Sequence, residues 1–148
     1  SVQNRRKKRM GSALENHLEY LFQVVGIRAD RNPITEGKTK PDFIFPGINE
    51  YRNAGFPSDL LTMLGVKSTC KDRWRQVLVE ADRIPAKHLL TLEPSISLTQ
   101  TDEMRRQQLQ LVLPARLHAT YTTEQQSWIM PVSAMVDLLQ ERQRAAGL

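Results

Sequence analysis

One cysteine, Cys70, is present in 148 residues. An internal disulfide is therefore excluded, and so is a thiolate zinc centre, which needs a second cysteine nearby. The three histidines, His17, His88 and His118, fall at no metal-ligand spacing, and His17 and His88 read as partly buried structural residues. No apolar run approaches the roughly 20 residues that span a bilayer. The basic run near the N-terminus leads into an amphipathic pattern, not into an apolar stretch with a small-residue cleavage site, so no secretory leader and a reducing, cytoplasmic setting are expected. Internal repeats and low-complexity linkers are absent. The chain opens on Ser1 where an initiating methionine would stand, as expected of a fragment of a longer protein.

What is present suits a globular protein: 40% of the residues are hydrophobic and 25% charged. The length fits one domain, 1–148, with residues 1–10 as a basic N-terminal arm. The formal charge of +5 resides in that arm, because Arg5, Arg6, Lys7, Lys8 and Arg9 account for all of it and the other 16 basic residues match the 16 acidic ones. Such a block neutralises phosphates on nucleic acid or is a solvated tail, and charge alone leaves both readings open.

Apolar residues at Leu14, Leu18, Leu21, Phe22 and Val25 trace one helical face from Ser12 to about Val25, stopped by Gly26. The stretch from Arg28 to Lys40 reads as a loop with room for a short edge strand. Phe43-Ile44-Phe45 predicts a short strand closed by Pro46-Gly47, with Asp42 at its start, and Leu60 to Thr69 predicts a strand buried on both faces. Trp74, Val77, Leu78 and Ala81 predict a helix over 72–81. Lys87 to Leu92 and Leu111 to Leu113 predict further strands. Helices are predicted from about Asp102, capped by Thr101, and from Pro131 to Gln143.

Within that order, Asp42 opens one strand, Lys67 ends the next, and Glu80 lies on the following helix. If the strands are neighbours and the helix packs back on them, the three converge at one end of a sheet. Magnesium prefers an oxygen shell that retains several waters, so two carboxylates and a phosphate oxygen suffice for a site. Asp42 and Glu80 are the candidate ligands, and Lys67 is placed to stabilise charge developing on a phosphate. Singly, each residue has a plainer reading as a turn, a solvated end or a wet helix face. Arg73 and Glu80, seven residues apart, would lie within about 20° of one another on an α-helix. A Lys71-Asp72-Arg73 cluster at a helix start can read G·C pairs, or be a surface ion-pair cluster. Trp74 is expected in the core, and Cys70 has no evident base to activate it.

The strings TEGKTKPDFIFPG at 35–47, TCKDRWRQVL at 69–78 and HLLTLEP at 88–94 closely resemble the catalytic domain of EcoRII-type restriction endonucleases. The resemblance covers nearly the whole chain. It implies a PD-(D/E)XK nuclease fold, α/β with a mixed central sheet flanked by helices, in which the last acid has moved off the lysine strand. Gly65, two residues before Lys67, stands where the common motif has that acid, and Glu80 is the replacement. The resemblance implies Mg2+ at Asp42 and Glu80, catalysis by Lys67, a further acidic residue in Glu15, and reading of CC and GG flanks by Lys71, Asp72 and Arg73. It also implies a Type II enzyme cutting double-stranded DNA at a CCWGG- or CCNGG-like site to leave 5′-phosphate ends. A near-palindromic target suits a homodimer. Lys38, Lys40 and Tyr51 are further candidates to approach DNA. The alternatives are a repair or structure-specific nuclease of the same fold, and a DNA-binding module that has lost catalysis.

Overall fold

The computed structural model describes residues 2–148, with Lys7 through its backbone alone. Its frame is a six-stranded mixed sheet in sequence order: β1 (Asp30–Arg31), β2 (Phe43–Phe45), β3 (Thr62–Lys67), β4 (Lys87–Thr91), β5 (Leu109–Leu113) and β6 (Met130–Pro131). β1, β2 and β3 pair antiparallel, and β3 to β6 run parallel. Parallel strands need crossovers. β3 reaches β4 through the 3-10 segment Arg73–Val79, and β4 reaches β5 through α3 (Leu98–Arg106).

Alternate side chains divide between two cores. Ile44, Met63, Leu89 and Leu111 face a layer containing Trp74, Val77 and Met104. Phe43, Phe45, Leu64, Val66, Leu90 and Val112 face α1 (Val2–Val24) and α5 (Val132–Ala145). The central strands are buried along their length except at Lys67, the part-exposed end of β3, which is why they read as continuous apolar runs.

The periodic face of α1 packs as its spacing requires, with Leu18 and Phe22 buried and Leu14, Leu21 and Val25 against the same cluster. Gly26 ends the helix at φ 74°. Its N–H donates to Gln23 O, and the N–H of Ile27 donates to Phe22 O, the glycine-closed terminus that satisfies otherwise orphaned carbonyls. The Phe22 ring stands edge-on to Phe43 and Phe45, with centroids 5.3 and 5.0 Å away. That contact fixes where Glu15, two turns earlier, meets the sheet. α1 starts ten residues before Ser12, so the basic arm is helical, and its described side chains are exposed. Ser1 of the arm lies outside the described residues.

Four readings of the sequence are corrected. Residues 73–79 form a 3-10 segment, not an α-helix, and Glu80 caps it in an extended conformation (φ −96°, ψ 149°). Arg73 and Glu80 therefore do not share a helical face. α3 begins a turn before Thr101, because the Ser97 hydroxyl accepts from Gln100 N at 3.2 Å, while Thr101 is buried inside the helix and donates to Leu98 O. The short α2 (Ile48–Arg52) and α4 (Thr123–Gln126) lie in stretches too short for periodicity to register. His17 is exposed; His88 is buried. Among the described residues no helix is long and apolar enough to cross a membrane.

Candidate active site

Pairing of Phe43 with Leu64 sets Asp42 beside the Gly65–Val66 step of the neighbouring strand. The Asp42 Oδ2 atom accepts the Val66 N–H at 2.6 Å, so the carboxylate is held by backbone. Lys67, two residues beyond Gly65, lies on the same face at the strand end. Glu80 arrives over that face by a different route. In a 3-10 segment every third residue is aligned, and the row Trp74, Val77, Glu80 continues from two fully buried side chains onto the sheet. Val77 packs so closely that a Cβ on Gly65 would lie 2.9 Å from its Cγ2. The absence of a side chain at position 65 thus admits the segment that ends at Glu80.

The electrostatics place these groups within range of one another's charge. Burial raises the Glu80 carboxyl to about 7, with the Asp42 charge adding to the rise and Lys67 and Lys87 opposing it. Burial likewise raises Asp42, against the Val66 hydrogen bond, Lys67 and Arg31. Glu15 is raised by burial and then by Asp42, while Arg31 and Lys67 lower it. Glu15 and Glu80 thus each sense Asp42 and Lys67. Arg31, which no local pattern singles out, organises the α1 side: its Nε lies 3.5 Å from Glu15 Oε1 and its Nη1 lies 3.7 Å from Glu19 Oε1. Only the pairing of β1 with β2 brings it there.

Three or more metal-ligating side chains do not cluster among the described residues. Mg2+ does not require them, since one or two carboxylates beside phosphate and water oxygens are its usual set. Two part-buried carboxylates that disfavour each other's charge, with one lysine alongside, fit such an ion.

The rim carries the remaining candidates. Lys71, Asp72 and Arg73 are exposed at the entry to the 3-10 segment, and Lys71 adopts a positive φ of 43°. One cleft is lined by Lys8 from α1, by Lys67, and by Arg73 and Gln76, so the arm, the strand-end lysine and the rim arginine face a shared space. Lys38 and Lys40 are exposed on the β1–β2 loop. Tyr51 is a correction: it is 4% exposed, and its hydroxyl donates to the Glu36 carboxylate at 2.7 Å and accepts from Arg83 N at 3.1 Å. It is a buried anchor of that loop and not a surface group open to DNA. Cys70 and Trp74 are fully buried, and burial pushes the thiol up to about 11.

The sequence profile of the family described as EcoRII C terminal matches residues 1–136. The chain belongs to that family. It is 48% identical over 137 residues to the Type II restriction enzyme EcoRII of Escherichia coli, covering 92% of this chain and 34% of that enzyme. This member of the EcoRII C-terminal family therefore spans about a third of its relative's length. Its fold is similar to that of Ecl18kI solved metal-depleted with uncleaved, modified DNA, at a TM-score of 0.84 and 21% identity, covering 97% of this chain and 48% of that one. A second Ecl18kI structure, metal-depleted with uncleaved DNA, gives 0.83 and 23% over 97% and 49% of the two chains. The expected restriction-endonuclease-like α/β architecture, a mixed sheet flanked by helices, is the observed one.

Proposed function

We propose that this chain is the catalytic domain of a Type II restriction endonuclease, with residues 1–10 as a basic arm, that hydrolyses both strands of duplex DNA. The observation that carries this reading is the convergence of Asp42 and Glu80 beside Lys67 at one strand end, in a chain of the EcoRII C-terminal family. The relative's name adds restriction activity, and the neighbours' titles add DNA and a removable metal. A target of the CCWGG or CCNGG kind follows by analogy with the relative. An unpaired buried thiol and a DNA substrate suit the cytoplasm.

In this proposal Asp42 and Glu80 hold Mg2+. A divalent ion so held neutralises charge on the scissile phosphate and makes a nearby water more acidic. The Val66 N–H leaves Asp42 one committed oxygen and fixes the direction of the other. The Lys67 ammonium offsets charge that builds on the non-bridging oxygens as water attacks phosphorus in line. The 3′ oxygen leaves and the phosphate stays on the 5′ end. Glu15, aimed by Arg31, completes the acidic side of the site. Lys71, Asp72 and Arg73 contact the flanking G·C pairs, Lys38, Lys40 and the arm follow phosphates, and two copies act on the two halves of the site.

Digestion of a plasmid carrying CCWGG sites, with Mg2+ and then with EDTA, tests the reading. Discrete fragments that require Mg2+ are expected, and Lys67→Ala should abolish them while specific binding persists. Nicking confined to mismatches or junctions would assign a repair nuclease instead. Specific binding with no cleavage in any divalent ion would assign a binding module, and a Lys67→Ala domain that cuts at the parental rate would remove Lys67 from the mechanism.

A further inference from the structure

Lys87 is the first residue of β4, yet it is only 5% exposed. Burying an ammonium is costly unless it is paired and hydrogen-bonded. No carboxylate forms a direct ion pair with Lys87 among the described contacts. Its Nζ instead donates to two main-chain carbonyls, Ala81 O at 3.1 Å and Ile84 O. Those carbonyls belong to the turn that begins immediately after Glu80.

That turn needs holding. Ala81 sits at φ 53°, a left-handed conformation that a residue with a Cβ adopts at a cost, and it is fully buried. The turn closes on itself through Ile84 N to Ala81 O at 2.9 Å and is tied from outside by Arg83 N to the Tyr51 hydroxyl. Lys87 holds it from beneath at both ends. The ammonium is also near enough to sense Glu80, Asp82 and Glu36. Glu80 is thus the last residue before a turn whose path depends on Lys87, and the direction of its side chain into the site depends on that path.

We infer that Lys87 is a positioning residue for Glu80, fixing the turn 81–84 so that the Glu80 carboxylate faces Asp42 across the cation site. This rests on the reading of Glu80 as a cation ligand. Two other roles are open to a buried lysine, and they predict different results. If Lys87 acted only as a nearby positive charge, its removal would strengthen cation binding, since a like charge would be gone. If it only supported the strand end, its removal would lower stability and leave the folded protein's cation affinity unchanged.

The test is Mn2+ binding to the whole domain without DNA, followed by paramagnetic resonance, beside the Mg2+ dependence of plasmid cleavage. Lys87→Met keeps most of the stem and loses the ammonium. We expect Mn2+ affinity about tenfold weaker or more, the usual effect of losing a partner that orients a ligand, with a matching rise in the Mg2+ needed for half-maximal cleavage. Lys87→Gln, a neutral donor that guards against misfolding of the first variant, should shift affinity the same way. Lys87→Arg, which retains charge and donors, should restore most of it. Unchanged or tighter Mn2+ binding in the folded neutral variants overturns the inference while leaving the nuclease reading intact. A parent domain that binds no Mn2+, or binds it equally well after Glu80→Gln, removes the reading of Glu80 and the inference with it.

Discussion

Val77 occupies the space that any side chain at position 65 would need: a Cβ built on Gly65 falls 2.9 Å from Val77 Cγ2 and 3.2 Å from its Cγ1. The acid missing from the lysine strand and the acid supplied by the following segment are therefore two aspects of one packing arrangement. Moving the acid back to β3 is blocked unless the 3-10 segment moves away.

Gly65→Ala is accordingly expected to destabilise the domain by about 1–3 kcal/mol through overpacking, seen as a lower urea midpoint. Val77→Ala should relieve part of this, so the double variant will be more stable than the sum of the single effects. Simple additivity would show that the contact is not the constraint. Gly65→Asp should not rescue cleavage in a Glu80→Ala background.

Glu80→Gln separates stability from activity. It removes a part-buried charge that faces Asp42. In metal-free buffer near neutral pH the unfolding free energy from urea titration should rise by about 1 kcal/mol, while cleavage falls by roughly 100-fold or more. A variant that is less stable than the parent and still cuts would contradict the placement of Glu80.

The rim residues and the arm should fail in different ways. Arg73→Ala is expected to cost about 1–3 kcal/mol in binding and to relax discrimination at a single base pair. Arg5→Gln/Arg9→Gln should weaken binding to all duplexes alike and flatten the dependence of log Kd on log salt by nearly two units. Competition binding over a set of single-base variants at several salt concentrations distinguishes them. Equal loss on every sequence for Arg73→Ala would make it a phosphate contact.

His88 provides a pH dependence remote from the site. It is 5% exposed, its Nδ1 has no hydrogen-bond partner among the described residues, and burial, then Arg142, lowers its pKa to about 4. A histidine that resists protonation in the folded state contributes nothing unfavourable above its ordinary value near 6.5. As pH falls from there towards 4 the unfolded chain binds the proton first and stability drops, by about 3 kcal/mol in all. Glu80, raised to about 7, acts in the opposite sense over the same window. The measurement is therefore the difference in urea midpoint between the parent and His88→Gln, which should narrow as pH falls from 7.5 to 4.5. A constant difference would show that the ring binds its proton equally well in the folded and unfolded chain.

Much of the site could be read from residue order because its chemistry depends on residue type at strand ends. A short apolar strand after Asp42 and a long one around Val66 are visible as local patterns; Asp42 directly precedes β2, and β3 ends at Lys67, two residues short of the expected Thr69. Glu80 lies at the end of a 3-10 segment and not on the expected α-helix. The spacing 74, 77, 78, 81 imitates an α-helix, whereas the 3-10 repeat aligns 74, 77 and 80. Tyr51, in a loop-like stretch, gave no local sign that its hydroxyl would be enclosed by Glu36 and Arg83.

Local patterning thus settled the strands, the amphipathic face of α1, its Gly26 terminus and the candidates Asp42 and Lys67, because side-chain period and turn chemistry act over a few residues. Chain folding in three dimensions decided that Arg31 restrains Glu15, that Val77 excludes an acid from position 65, and that Lys87 lies beneath the turn after Glu80. The first two join residues 16 and 12 positions apart, and the third, though only three to six residues separate its partners, depends on the burial of Lys87 at the start of β4. Their energies come from burial and close approach, which side-chain pattern along the sequence does not display.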